Sequence, residues 1–293
     1  MTVVVGYLTG KCGRAPLRLA AELARALHTG VAVVTVLPRP LVFLSPTRVD
    51  AEYADYAEHL ADESADEARA GLAELTGGQP VTFHRYVARS AAAGLLQAVE
   101  ELDATALVIG STLEGRLGQV VIGSTADRLL HSAPVPLALP PRGYPGSRTG
   151  ALTRISVAYP GTEEAVPVVR RAAALAQRMG LPLRVLTFAV RGPTMYPPEV
   201  GLDSEDLVLQ AWAEEAQQRL AALRGSGVVD AQVPLQVVTG HDWAQAVGAA
   251  GWQDGELLAL GTSPRETIAR VFLGSHGTKI LRHSPVPALV LPG

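Results

Sequence analysis

A seven-residue run, Ala106-Leu107-Val108-Ile109-Gly110-Ser111-Thr112, returns later in the chain as Leu257-Leu258-Ala259-Leu260-Gly261-Thr262-Ser263. Gly123-Ser124 is matched by Gly274-Ser275, and Pro134-Val135-Pro136 by Pro285-Val286-Pro287. All three pairs lie 151 residues apart. The starts agree as well: Val3-Val4-Val5-Gly6-Tyr7 matches Ile155-Ser156-Val157-Ala158-Tyr159, and Thr35-Val36 matches Thr187-Phe188, at a spacing of 152. Three motifs in one register over an alanine-rich chain are not a product of composition. The 293 residues therefore read as two copies of one domain, in keeping with roughly 100–200 residues per domain. The expected boundaries are 1–141 and 152–293. The stretch Pro140-Pro141-Arg142-Gly143-Tyr144-Pro145-Gly146-Ser147 holds the join, with 142–151 as the linker.

Each copy alternates apolar runs with amphipathic stretches, the pattern of βαβ units on a parallel sheet. In the first copy, strands are expected at Val3 to Tyr7, Val31 to Leu37, Val81 to Val87, Ala106 to Ile109 and Leu137 to Leu139. Helices are expected at Ala15 to Leu27, Asp50 to Leu75, Ala91 to Glu101 and Ser124 to His131. Ser124-Thr125-Ala126-Asp127 reads as a serine N-cap followed by an acid, close to a capping box. The second copy repeats the order, with its long helix at about Asp203 to Leu223.

Composition narrows the function. Aromatic residues are 5% of the chain, too few for base-stacking platforms. The net charge is −3, lysine occurs only at Lys11 and Lys279, and arginine is dispersed, so no nucleic-acid partner is expected. Cys12 alone supplies neither a disulfide nor a multi-cysteine metal site. There is no signal-peptide pattern at the start and no apolar run near the roughly 20 residues a membrane helix needs. A cytoplasmic protein without membrane contact is expected.

The informative chemistry follows the fourth strand. Gly110 stands at its carboxyl end, and Gly123-Ser124 opens the last helix. Open α/β sheets bind ligands outside the carboxyl ends of their strands, and a helix N-terminus offers free N–H groups to phosphate. The same argument covers Gly261, Gly274 and Ser275. The residues alone also fit a plainer reading, with tight-turn glycines and a serine that merely caps.

The spacing resembles the universal stress protein signature, written G-x2-G-x9-G-S/T, and the resemblance covers nearly the whole chain twice. It implies two tandem open parallel five-stranded α/β sheets flanked by helices, Rossmann-related and joined by a pseudo-two-fold axis. It further implies an adenine-nucleotide site for ATP, with Mg²⁺ when bound. Carried over residue by residue, that site comprises Val36, Ile109, Gly110, Thr112, Gly123, Ser124 and Thr125 in copy one. In copy two it comprises Gly161, Thr162, Phe188, Leu260, Gly261, Ser263, Gly274, Ser275 and His276. The backbone of Val36 or Phe188 would meet an adenine edge. The signature's middle glycine is replaced by Leu113 and Pro264, and its first-strand aspartate by Leu8 and Pro160. Gly115 and Gly118 give the loop of copy one an alternative path.

Two functional readings stay open: a nucleotide-binding stress-response or signalling module that presents a changed surface to a protein partner, and a nucleotide-independent scaffold. An enzyme is not expected. Gly10-Lys11 lacks the P-loop spacing, since Cys12 follows, and no Gly-x-Ser-x-Gly elbow accompanies His241-Asp242 or Ser275-His276. His131 and His283 suit helix C-termini, and the acids between Glu52 and Glu74 suit a solvated helix face. Leu137 to Leu139 is expected to pair with Ala288 to Leu291 within the chain, and a homodimer is left open.

Overall fold

The computed structural model of the protein describes residues 1–11, 13–38, 48–112, 116–190, 202–264, 271–272 and 275–292; for 48–54, 202–208, 263–264, 271–272 and 275 it describes the backbone alone. Cys12, Leu113, Gly115 and Gly274 lie outside the described residues. The chain divides into two compact units, Met1–Ala151 and Leu152–Leu291.

In the first unit the strands are β1 (Thr2–Gly6), β2 (Gly30–Pro38), β3 (Val81–Ala88), β4 (Ala104–Ile109) and β5 (Leu137–Leu139). The helices are α1 (Ala15–Ala26), α2 (Arg48–Leu72), α3 (Ala91–Glu101) and α4 (Ser124–Leu130). The strands are parallel in the order β3-β2-β1-β4-β5. Helices cover both faces of the central strands, so consecutive residues such as Val3, Val4 and Val5 are all buried and the runs read as continuously apolar. β3 is the edge strand: none of its residues is buried, and Thr82, Arg85 and Val87 are exposed. Its Arg85 pairs with Glu58 and Asp62 of α2, which accounts for part of the acidic face of that helix.

The second unit contains β6 (Arg154–Ala158), a 3-10 turn at Glu163–Ala165, α5 (Val166–Met179), β7 (Leu183–Val190), α6 (Leu202–Gly225), β8 (Leu235–Gly240) and α7 (Trp243–Gly248). Then come β9 (Glu256–Gly261), β10 (Ser263–Pro264), β11 (Val271–Phe272), α8 (Ser275–His283) and β12 (Ala288–Leu291). Its parallel order is β12-β9-β6-β7-β8, the same winding as the first unit. The β10–β11 ladder is antiparallel and has no counterpart among the described residues of the first unit. No helix among the described residues is long and apolar enough to cross a membrane.

Local capping explains several boundaries. Ser90 caps α3 by accepting the Ala93 N–H at 3.2 Å, and Asp242 caps α7 by accepting the Gln245 N–H at 2.7 Å. The expected serine cap of α4 is corrected. Gly123 is the N-cap, in extended backbone (φ −89°, ψ 176°), and its carbonyl accepts the Asp127 N–H at 2.9 Å. Ser124 is thus the first helical residue. His131 is the C-cap of α4, beside Asp127, and His283 ends α8.

The stretch read as the linker is tied to the first unit. The buried Glu22 carboxylate on α1 accepts from the Tyr144 hydroxyl at 2.8 Å and the Ser147 N–H at 2.6 Å. Arg18 donates to the Pro145 carbonyl.

The second unit also buries a charge network. Glu256, with no exposed surface, bonds to Arg154 at 2.7 Å and Arg184 at 2.8 Å and accepts from Ser156. Arg184 further donates to Ser156 at 2.8 Å, Gln236 at 3.1 Å and the Ala250 carbonyl at 2.6 Å, and lies over the Trp252 ring. Burial lowers the Arg184 pKa, an effect the neighbouring Glu256 opposes. The first unit carries Thr2, Val4, Ala32 and Thr105 at the positions of Arg154, Ser156, Arg184 and Glu256.

Candidate functional site

In the first unit the strand order runs from β1 outward to β3, then jumps to β4 on the other side of β1. That reversal leaves a crevice beyond the carboxyl ends of β1 and β4, the usual ligand position in open α/β sheets. A cleft of about 930 Å³ lies there. Val36, Ile109, Gly110, Thr112, Gly123, Ser124 and Thr125 all line it, so the structure brings the whole copy-one set together.

The cleft sets the start of α4 beside an apolar floor. The Asp127 N–H makes the first intrahelical bond of α4, so the N–H groups of Ser124, Thr125 and Ala126 have no partner within the helix. Val34, Val36, Leu95 and Ile109 supply apolar wall, and Leu8 lines the cleft at the position where the resembled signature has an aspartate. Lys11 is the charged residue among the described lining.

The loop from β4 to α4 is anchored rather than loose at its ends. The buried Ser111 hydroxyl donates to the Pro140 carbonyl at 2.7 Å and accepts the Val121 N–H at 3.2 Å. The Thr112 N–H donates to the Val121 carbonyl at 3.3 Å. Gly118 and Arg142 close a further pair, with Gly118 N–H donating to the Arg142 carbonyl and Arg142 N–H to the Gln119 carbonyl, each at 2.9 Å. Ser111→Ala strips the Pro140 carbonyl and the Val121 N–H of one partner together. A loss of about 1–3 kcal/mol is expected for the buried groups left unpaired, read as a lower urea midpoint. An unchanged midpoint would show that the anchor is dispensable.

Gly123 needs to be small. A Cβ added there would sit 2.4 Å from Thr112 Cγ2, although its backbone angles suit any residue. The constraint is steric and faces the cleft.

The second unit builds the equivalent place differently. Phe188, Leu260, Gly261 and His276 line a cavity of about 240 Å³, with Pro160 and Trp243. A separate groove of about 770 Å³ opens outside it, sharing Pro160, Phe188, Trp243 and His276 as a wall. Three residues set the contrast: Phe188, Trp243 and His276 stand where the first unit has Val36, Ala91 and Thr125. Gly261 is crowded from behind, since a Cβ there would lie 2.2 Å from Val168 Cγ2. Its smallness serves helix–strand packing.

Gly161 and Thr162 are not brought to this cavity. The 3-10 turn that follows carries them elsewhere: Gly161 (φ 84°) lines a cavity of about 170 Å³ with Tyr159, Glu163 and Arg219. The Thr162 carbonyl accepts the Ala165 N–H at 3.1 Å, and its side chain bonds to Glu164. The Glu164 carboxyl is held below its ordinary range first by its own backbone N–H and then by Thr162. Burial, then the nearby Glu163, raises the Tyr159 pKa. Ser263 pairs with Phe272 through the backbone, and Ser275 opens α8; their side chains are outside the described residues, as is Gly274.

Sequence reasoning missed Gly10 and Lys11, which line the first cleft, and Trp243, which walls the second cavity. Lys11 was judged against the P-loop spacing alone. Its position just past the carboxyl end of β1 was the usable signal. Trp243 could have been found by carrying the 152-residue spacing through Ala91.

Comparison with known proteins agrees with this architecture. The family model described as "Universal stress protein family" matches residues 1–140 and 152–292. Universal stress protein Rv2319c of Mycobacterium tuberculosis (strain ATCC 25618 / H37Rv) is 56% identical over 293 residues, covering 100% of both chains. Universal stress protein Mb2346c of Mycobacterium bovis matches to the same extent. Among solved structures, a universal stress protein from Archaeoglobus fulgidus DSM 4304 aligns with a TM-score of 0.59 at 16% identity, covering 99% of this chain and 98% of that one.

Proposed function

Because this chain belongs to the universal stress protein family, we propose that it is a stress-response binding module whose first unit takes an adenine nucleotide. The observation that carries the reading is the cleft at the β1/β4 reversal, where the backbone of Gly110, the start of α4 and Lys11 converge. Adenine would lie against Val36 and Ile109. The phosphates, ATP's with Mg²⁺ when present, would meet the N–H groups of Ser124 to Ala126 and the Lys11 ammonium.

For the second unit the alternative reading is favoured. Phe188, Trp243 and His276 reduce its inner cavity to about 240 Å³, and no nucleotide is assigned to it. Denaturing freshly purified full-length protein and chromatographing the supernatant should release ATP, ADP or AMP at no more than one per chain. Absence of nucleotide, together with no calorimetric response to millimolar ATP and Mg²⁺, would leave the scaffold reading for both units.

A further inference from the structure

We propose that the second unit binds a flat aromatic carboxylate at the mouth formed by Phe188, Trp243 and His276. The inference does not depend on the first unit's ligand.

The rings come from three separate elements, β7, α7 and α8, and all three line the same cavity. The Trp243 and His276 ring centroids are 5.0 Å apart at an interplanar angle of 42°. If these rings only filled core space left open in the first unit, they would be buried. They are not: Phe188 and Trp243 are half-buried and His276 is exposed. They stand instead as a shared wall between the inner cavity and the outer groove. Partly exposed, mutually braced rings present π-faces to a planar guest, and such contacts contribute about 0.5–1.5 kcal/mol beyond area burial.

Size and charge narrow the guest. The inner cavity, about 240 Å³, lies below the roughly 300–1,000 Å³ of pockets that enclose drug-sized ligands. One or two fused rings suit it, with a charged substituent left in the outer groove. At the mouth, Arg219 is held by Glu215 at 2.6 Å, and one Asp242 oxygen caps α7. Lys279, with its Nζ 5.9 Å from the Trp243 ring centroid, has no ion-pair partner among the described residues. A carboxylate on the ring's outer edge would supply that partner.

Isothermal titration calorimetry of the full chain with 2-naphthoate tests the inference, with 2-naphthylmethanol and 2-naphthylmethylammonium as neutral and cationic comparators. One naphthoate per chain is expected, bound at least about tenfold more tightly than either comparator. Lys279→Ala, at an exposed position, should remove that preference while leaving ring binding, and Trp243→Ala should weaken all three. His276→Thr restores the first unit's residue and serves as a second ring variant should Trp243→Ala fail to fold. No heat at millimolar naphthoate, tighter binding of the ammonium, or unchanged affinity in the ring variants would overturn the proposal. Displacement of naphthoate by ATP would also overturn it, by making the mouth an adenine subsite.

Discussion

Replacing Glu256 with alanine is expected to destabilise the second unit by about 3–5 kcal/mol, the usual cost of removing one partner from a buried ion pair. Two guanidinium groups depend on this carboxylate, and Arg184 is itself nearly fully buried. Without Glu256, Arg184 keeps Gln236, Ser156 and the Ala250 carbonyl, which are dipoles and not counter-charges. The chain's three tryptophans, Trp212, Trp243 and Trp252, all lie in the second unit. Urea unfolding followed by tryptophan fluorescence therefore reports this unit selectively. Introducing the first unit's residues together (Arg154→Thr, Ser156→Val, Arg184→Ala and Glu256→Thr) should recover part of the loss, because it removes the charges as well as their partner. A loss below about 1 kcal/mol for Glu256→Ala, the worth of an exposed pair, would contradict the account of the network.

Gly123→Leu is expected to reduce adenine-nucleotide affinity at least about 100-fold, or about 2.8 kcal/mol at 1.4 kcal/mol per decade. The new side chain starts 2.4 Å from Thr112 Cγ2 and has the cleft as its outlet. Nothing in the Gly123 backbone angles forbids the substitution, so the unit should fold. Ala91→Trp gives an independent block, since the second unit already carries Trp243 at that position in the same capped-helix context. Nucleotide affinity unchanged in both folded variants would move the site away from this cleft.

The elements were legible because burial on both faces turns the central strands into short apolar runs, while amphipathic helices separate them. Ala91–Glu101 and Leu137–Leu139 coincide with their expected bounds, and most other elements shift by one to three residues at their ends. That the copy-one residues share one crevice was legible through one local fact: β4 ends and α4 begins there. Gly161 and Thr162 were not, because a 3-10 turn redirects the chain after β6 and no residue pattern announced it. The Glu256 network was invisible for another reason. Arg184 and Glu256 stand 72 residues apart, and each alone reads as an ordinary charge at a strand end. Likewise, Ser124 resembles a cap by composition, but the extended backbone of Gly123 takes the role one residue earlier.

The asymmetry between the units makes the central claim countable. Calorimetric titration of the full chain with ATP and Mg²⁺ is predicted to give a stoichiometry of one, lost in Gly123→Leu and Ala91→Trp alike. Two sites per chain, no heat at millimolar ATP, or one site that survives both substitutions would contradict it.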